Sequence, residues 1–142
     1  MNRARLLLAE DHTEMRTMIA RMVEPEFEVV GVVGDGQALM EAESKLKPDV
    51  CLIDISMPVL NGIEVANLLQ QKRTRAKIVF LTALAHRDYL EAALEAGASG
   101  YVLKPRMASD LLLALREALS GGLFISPSGA PASSGGGSKN LL

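Results

Sequence analysis

Four positions in this chain carry residue types that could act together. An acidic pair, Glu10-Asp11, closes the apolar run "RLLLA", and a bare carboxylate, Asp54, closes "VCLID". Thr82 closes "IVFLT", and Lys104 follows "GYVL" directly, ahead of Pro105. Each lies just after a short apolar run, where a side chain leaves a strand. Three carboxylates brought together repel unless a cation joins them, and hard oxygen donors with room for water suit Mg²⁺. A lysine across the cluster and a small hydroxyl beside it complete a pocket for a phosphoryl group. The chemistry this permits is nucleophilic: Asp54 attacks phosphorus and becomes an aspartyl phosphate. Phosphoryl transfer depends mainly on positioning and charge neutralisation, so few residues suffice. Pro58 and Gly62 bracket the turn after Asp54 and shape it so that a backbone carbonyl, that of Ser56, faces the metal.

The elements that must position these groups can be read along the chain. Apolar runs at residues 5–9, 28–33, 50–54, 78–82 and 100–103 are mostly continuous rather than alternating, the mark of parallel strands covered on both faces. Between them lie helical stripes: Met15, Met18, Ile19 and Met22; Leu39, Ala42 and Leu46; Ile63, Ala66 and Leu69 or Leu68; Leu90, Ala93 and Leu94. The strongest stripe is the last, Leu111, Leu112, Leu115 and Leu119. Pro25 and Pro48 follow the first two helices, and Gly97 stands where the fourth should end in a left-handed cap. Asp88 and Ser109 are the expected N-caps of the fourth and fifth helices. Five βα units with right-handed crossovers make a doubly wound parallel sheet. In such sheets chemistry collects at the carboxyl ends of the strands.

At 142 residues with 49% hydrophobic and 23% charged residues, the chain suggests one globular domain with a real core. A net charge of −2 advertises no basic face, so bulk electrostatics do not predict nucleic-acid or membrane binding. One cysteine, Cys51, excludes an internal disulfide framework and reads as a buried strand residue. No run approaches the length of a membrane helix, and the acidic residues near the N-terminus do not suit a secretory signal. The expected setting is the cytoplasm, with no membrane partner. Residues 1–121 read as the domain and 122–142, rich in Gly, Ser and Pro, as a flexible linker or tail.

The motifs "AED", "LIDISMPVLNG", "FLTA" and "AGASGYVLKP", in order and spacing, resemble the receiver domain of two-component response regulators from about residue 3 to about residue 119. The resemblance implies a flavodoxin-like sheet of five strands in the order 2-1-3-4-5 with five helices. It implies that Asp54 is the phosphoacceptor, supplied by the phosphohistidine of a sensor histidine kinase, with Mg²⁺ as cofactor. Glu10 and Asp11 become the acidic pair, Lys104 the phosphate-contacting lysine, Thr82 the switch hydroxyl and Tyr101 the rotameric aromatic. The pair departs from Asp-Asp, and the longer Glu10 suits holding a metal-bound water better than direct ligation. The Lys104–Pro105 bond is expected to be cis.

The implied function is a switch that reshapes the surface of the fourth helix, fifth strand and fifth helix. Such a protein is no enzyme beyond its own phosphorylation and dephosphorylation. The junction "ALREALSGGLFISPS" resembles that of regulators with a helix-turn-helix output domain, so DNA contact is expected only through a downstream domain. On that reading the terminal "NLL" begins that domain and the chain is a truncated receiver. Dimerisation on phosphorylation is expected through the first or fifth helix or the fourth-helix face. The alternative is a stand-alone receiver or a pseudo-receiver that works as a docking module. A phosphatase passing through an aspartyl phosphate wants a second carboxylate at position 56, which is serine. His12 reads as opening the first helix, and His86 as an exposed loop residue.

Overall fold

A computed structural model describes residues 3–127. The strands are β1 (Ala4–Ala9), β2 (Phe27–Val33), β3 (Val50–Ile53), β4 (Lys77–Thr82), β5 (Gly100–Leu103) and β6 (Phe124–Ile125). The helices are α1 (Thr13–Val23), α2 (Gly36–Leu46), α3 (Gly62–Gln71), α4 (Arg87–Glu95) and α5 (Met107–Leu119). All pairings are parallel and the order is β2-β1-β3-β4-β5-β6. The flavodoxin-like arrangement expected from the sequence is present, with a sixth strand that the sequence did not suggest.

Alternation along each strand sends side chains into two cores. Leu7, Cys51, Ile53, Ile78, Phe80 and Tyr101 meet Leu39, Val65, Leu69 and Ala93 from α2, α3 and α4. Leu6, Leu8, Leu52, Val79, Leu81 and Val102 meet Ile19 and Val23 of α1 and Leu111 and Leu115 of α5. Both faces are therefore dry, which is why the runs are continuously apolar. In α1 the buried anchors are Ile19 and Val23. Met15 and Met22 pack at the margin, and Met18 is half exposed.

Ladder register brings the strand ends level. Ala9 pairs with Ile53 and Thr82 with Leu103, so the residues that follow, Glu10, Asp54 and Lys104, emerge on one edge with Thr82. The turn after Asp54 is fastened twice. Asn61 and Glu64 form a reciprocal capping box at the start of α3. Gly62 packs so tightly that a Cβ would stand 2.6 Å from the Asp54 carbonyl oxygen.

Several local expectations are corrected. The N-cap of α4 is His86, whose Nδ1 accepts the Asp88 N–H at 3.1 Å. Asp88 lies inside the helix because that ring already serves the free amide. Helix α5 starts directly from a single 3-10 turn, Lys104–Arg106, so Ser109 lies in its first turn rather than at its cap. The Lys104–Pro105 bond is trans, as is every peptide bond among the described residues. Pro105 fits the first positions of that turn, where its fixed φ and missing N–H cost nothing. Gly97, at φ 91°, ends α4 as expected.

Strand β6 lies in the Gly- and Ser-rich segment beyond residue 121. Phe124 N–H donates to the Ser99 carbonyl at 3.1 Å and Ser126 N–H to the Tyr101 carbonyl at 2.8 Å. The Ser126 hydroxyl donates to buried Asp110 at 2.7 Å and accepts the Leu103 N–H at 3.2 Å. Asp110 also accepts from Arg106 at 2.8 Å and Ser109 at 2.9 Å. Burial opposes the Asp110 charge, but the bonds from Ser126, Arg106 and Ser109 outweigh it and hold its carboxyl below the usual range. The terminal "NLL" lies outside the described residues.

Candidate functional site

Asp54 follows β3 and is almost wholly buried, at 5% exposure. Its Oδ1 accepts the Ser56 N–H at 3.1 Å, and its Oδ2 accepts from Lys104 Nζ at 3.3 Å. The same ammonium stands 2.9 Å from Glu10 Oε1. That contact is an ion pair off the hydrogen-bond line, since Glu10 Oε1 has no aligned donor. Glu10 is 1% exposed, and its Oε2 accepts the His12 N–H at 3.2 Å. Burial works against the Lys104 charge, but Glu10 and Asp54 prevail and raise its pKa above the ordinary lysine value. Lys104 thus stays protonated between two buried carboxylates at physiological pH.

Asp11, beside them, is partly exposed, yet its Oδ1 is buried and has no hydrogen-bond partner. Oxygens of Glu10 and Asp11 and a ring nitrogen of His12 lie within 4.8 Å of one another. An orphaned carboxylate oxygen beside further oxygen donors fits a hard cation, so the residues present suit Mg²⁺. Asp54 lies outside that 4.8 Å group and is tied instead to Lys104. The Ser56 backbone faces Asp54 through its N–H. His12 occupies the N-cap position of α1 without a side-chain cap bond. Its ring stands 3.4 Å from Glu10 Oε2 and 3.5 Å from Asp11 Oδ1.

Thr82 is fully buried at the end of β4. Its Oγ1 accepts the Leu84 N–H at 3.1 Å. Tyr101 is turned inward, with its ring 6.5 Å from that of Phe80 in an edge-on arrangement. The Tyr101 hydroxyl donates to the Leu84 carbonyl at 2.5 Å. Both groups therefore hold one residue of the β4–α4 loop, Leu84, by its N–H and its carbonyl. Burial, helped by Tyr89, pushes the Tyr101 phenol up to about 12. Cys51, in the middle of β3, is inaccessible, and burial raises its thiol to about 12, so its ordinary state is an unreactive thiol. Cavities of about 480 and 510 Å³ lie elsewhere, against α1 and β2 and between α5 and β1.

The carboxylates and lysine singled out from the sequence therefore meet at one sheet edge. Thr82 and Tyr101 meet at Leu84. Nothing in the local sequence marks Leu84, because its part is played by backbone atoms alone.

Residues 6–116 match the response regulator receiver domain. The chain is 43% identical over 117 residues to the transcriptional regulatory protein PdtaR of Mycobacterium tuberculosis, covering 82% of this chain and 57% of that protein. It is 35% identical over 130 residues to the nitrate/nitrite response regulator NarL of Escherichia coli, covering 90% and 60%. A crystal structure of a LuxR-family two-component response regulator from Aurantimonas superposes with a TM-score of 0.84 at 30% identity, covering 89% of this chain and 91% of that one. The chain spans little more than half the length of the two curated relatives.

Proposed function

The chain belongs to the receiver-domain family of two-component response regulators, and on that premise we propose that it is a phosphorylation-dependent switch whose acceptor is Asp54. The observation that carries this reading is the Lys104 ammonium bridging Glu10 and Asp54 at the sheet edge. An Asp54 oxygen attacks the phosphorus of a phosphohistidine on a sensor histidine kinase. The P–O bond forms as the P–N bond breaks, and the imidazole leaves with the electron pair. The Ser56 N–H fixes one Asp54 oxygen, while Lys104 is already charged to meet the incoming phosphoryl oxygens.

Mg²⁺, when bound, would neutralise and orient those oxygens. Asp11 and Asp54, with the Ser56 carbonyl, would hold it, and Glu10 would act through a water. The domain catalyses only its own phosphorylation and hydrolysis and is otherwise a signalling component.

The switch runs through Leu84. If Thr82 turns its hydroxyl toward the phosphoryl group, the Leu84 N–H loses its acceptor while Tyr101 still holds the carbonyl. The loop before α4 then re-forms, and with it the surface of α4, β5 and α5. One relative named above, PdtaR, is named a transcriptional regulatory protein, which supports an output on transcription, and on DNA, through a domain outside the described residues. Phosphorylation-driven homodimerisation and a cytoplasmic setting complete the proposal. No helix among the described residues is long and apolar enough to cross a membrane.

The test is labelling by a small phosphodonor with and without Mg²⁺. Wild type should incorporate phosphate only with the metal, and Asp54→Asn should incorporate none. Undiminished labelling of that variant removes Asp54 from the role.

A further inference from the structure

At the far end of the sheet, where α2 and α3 end, lies a second polar cluster. A cavity of about 240 Å³ there is lined by four cations, Lys47, Lys72, Arg73 and Arg75, and one carboxylate, Glu43. Glu43 is buried and already satisfied. Lys72 Nζ meets its Oε1 at 2.8 Å and the Thr74 hydroxyl its Oε2 at 2.7 Å. Arg75 has one link, to Asp49 at 3.6 Å, with both side chains partly in water. Lys47 and Arg73 enter no ion pair among the described residues.

Cations near helix C-termini ordinarily cover the last carbonyls and offset the dipole. Here other groups cover those carbonyls. Arg5 Nη1 donates to the carbonyls of Leu46 at 2.6 Å and Lys47 at 3.0 Å. At the end of α3, the amides of Lys72, Arg73 and Thr74 bond to Leu68, Gln70 and Leu69. The backbone also favours glycine at two of these positions. Lys47 has φ 47° and Arg73 φ 58°, where L-residues are uncommon. Two long cations thus stand where the fold favours glycine and where the carbonyls are already capped. The negative ends of two helices oppose any anion here, and Glu43 and Asp49 offset Lys72 and Arg75. The surplus of Lys47 and Arg73 still exceeds the helix ends, and more so for a ligand with several charges.

We propose that this cavity binds the phosphate chain of a small polyphosphate, either inorganic diphosphate or the phosphate tail of a nucleotide. Adjacent phosphates match separated cations around one cavity, and the arginine forks can bind their oxygens bidentately. The site is independent of the chemistry at Asp54, from which it is separated by the length of the sheet.

The test is calorimetric titration of the full chain, in low salt without Mg²⁺, with inorganic diphosphate and separately with a nucleoside triphosphate. Amide NMR shifts locate the site. The informative variant is the double change Lys47→Gly with Arg73→Gly, which removes both cations while easing the backbone, so its melting temperature should not fall. Arg87→Gln, on exposed α4, serves as the control cation. The expected result is saturable binding with Kd below about 1 mM, weakened about tenfold or more in the double variant and unchanged in the control. Shifts should be confined to residues 43–47 and 72–75. Similar affinity for both ligands assigns recognition to the phosphates, and tighter nucleotide binding adds a base contact to the same site. The proposal is overturned by absence of saturable binding, by undiminished binding in the double variant, or by orthophosphate binding as tightly as diphosphate. Binding of duplex DNA without binding of diphosphate would replace it with an extended backbone-contacting surface.

Discussion

Replacing Lys104 with methionine keeps most of the side chain's volume and deletes its charge, so it isolates what the ammonium does. In the wild type that charge lies 2.9 Å from Glu10 Oε1 and 3.3 Å from Asp54 Oδ2, and both acids are at most 5% exposed. Removing one partner of a fully buried pair costs about 3–5 kcal/mol. Lys104 keeps 16% of its side-chain surface in water, so screening lowers the figure to about 1–3 kcal/mol. For a domain of this size each kcal/mol moves Tm by about 3–5 °C, which puts Lys104→Met about 3–15 °C below wild type. A divalent cation among the same carboxylates should replace part of the lost charge. Thermal unfolding followed by circular dichroism, with and without millimolar Mg²⁺, should therefore show a gap that narrows in the metal. An unchanged Tm would refute the claim that Lys104 holds these acids together. A gap that widens with Mg²⁺ would refute the placement of the cation among them.

Three further outcomes follow from the packing. Tyr101→Phe removes the hydroxyl that holds the Leu84 carbonyl and should cost about 1 kcal/mol by urea unfolding at pH 7. Because the folded-state Tyr101 pKa is raised to about 12, its contribution is complete below about pH 10 and disappears as pH climbs through 12; the Phe variant should lose that part of the alkaline decline. Asp110→Ala should speed amide exchange at Ser126 and cost about 2 kcal/mol, since it removes three charge-assisted bonds around β6. The lowered Asp110 pKa places its stabilisation above the ordinary aspartate range and its loss below it, so wild type and variant should converge in strong acid. Gly62→Ala sets a Cβ against the Asp54 carbonyl and Ile55 Cα and should cost about 3 kcal/mol by overpacking, with a parallel loss of phosphate incorporation.

What was legible in the sequence has a physical pattern. The first five strands sit within a residue of their apolar runs because a sheet covered on both faces needs apolar side chains at most positions. Asp54, Glu10 and Lys104 could be found because parallel register turns "the residue after the strand" into a spatial address. Strand β6 could not, since two residues have no periodicity and its partners, Tyr101, Leu103 and Asp110, are remote in sequence. Asp88 is not the cap for a related reason: a histidine ring two residues earlier takes the free amide. The meeting of Thr82 and Tyr101 at Leu84 runs through main-chain atoms, which residue types do not reveal. The Glu43–Lys72–Thr74 network joins side chains about thirty residues apart, beyond any local pattern.

The most direct test of the account is to locate the phosphoryl group itself. The protein is phosphorylated with a small phosphodonor and Mg²⁺, reduced with borohydride, which converts an aspartyl phosphate to homoserine, and digested for peptide mass analysis. The account predicts homoserine at position 54 and at no other aspartate. Homoserine at Asp11, or a stable phosphate on His12 with Asp54 intact, would contradict it.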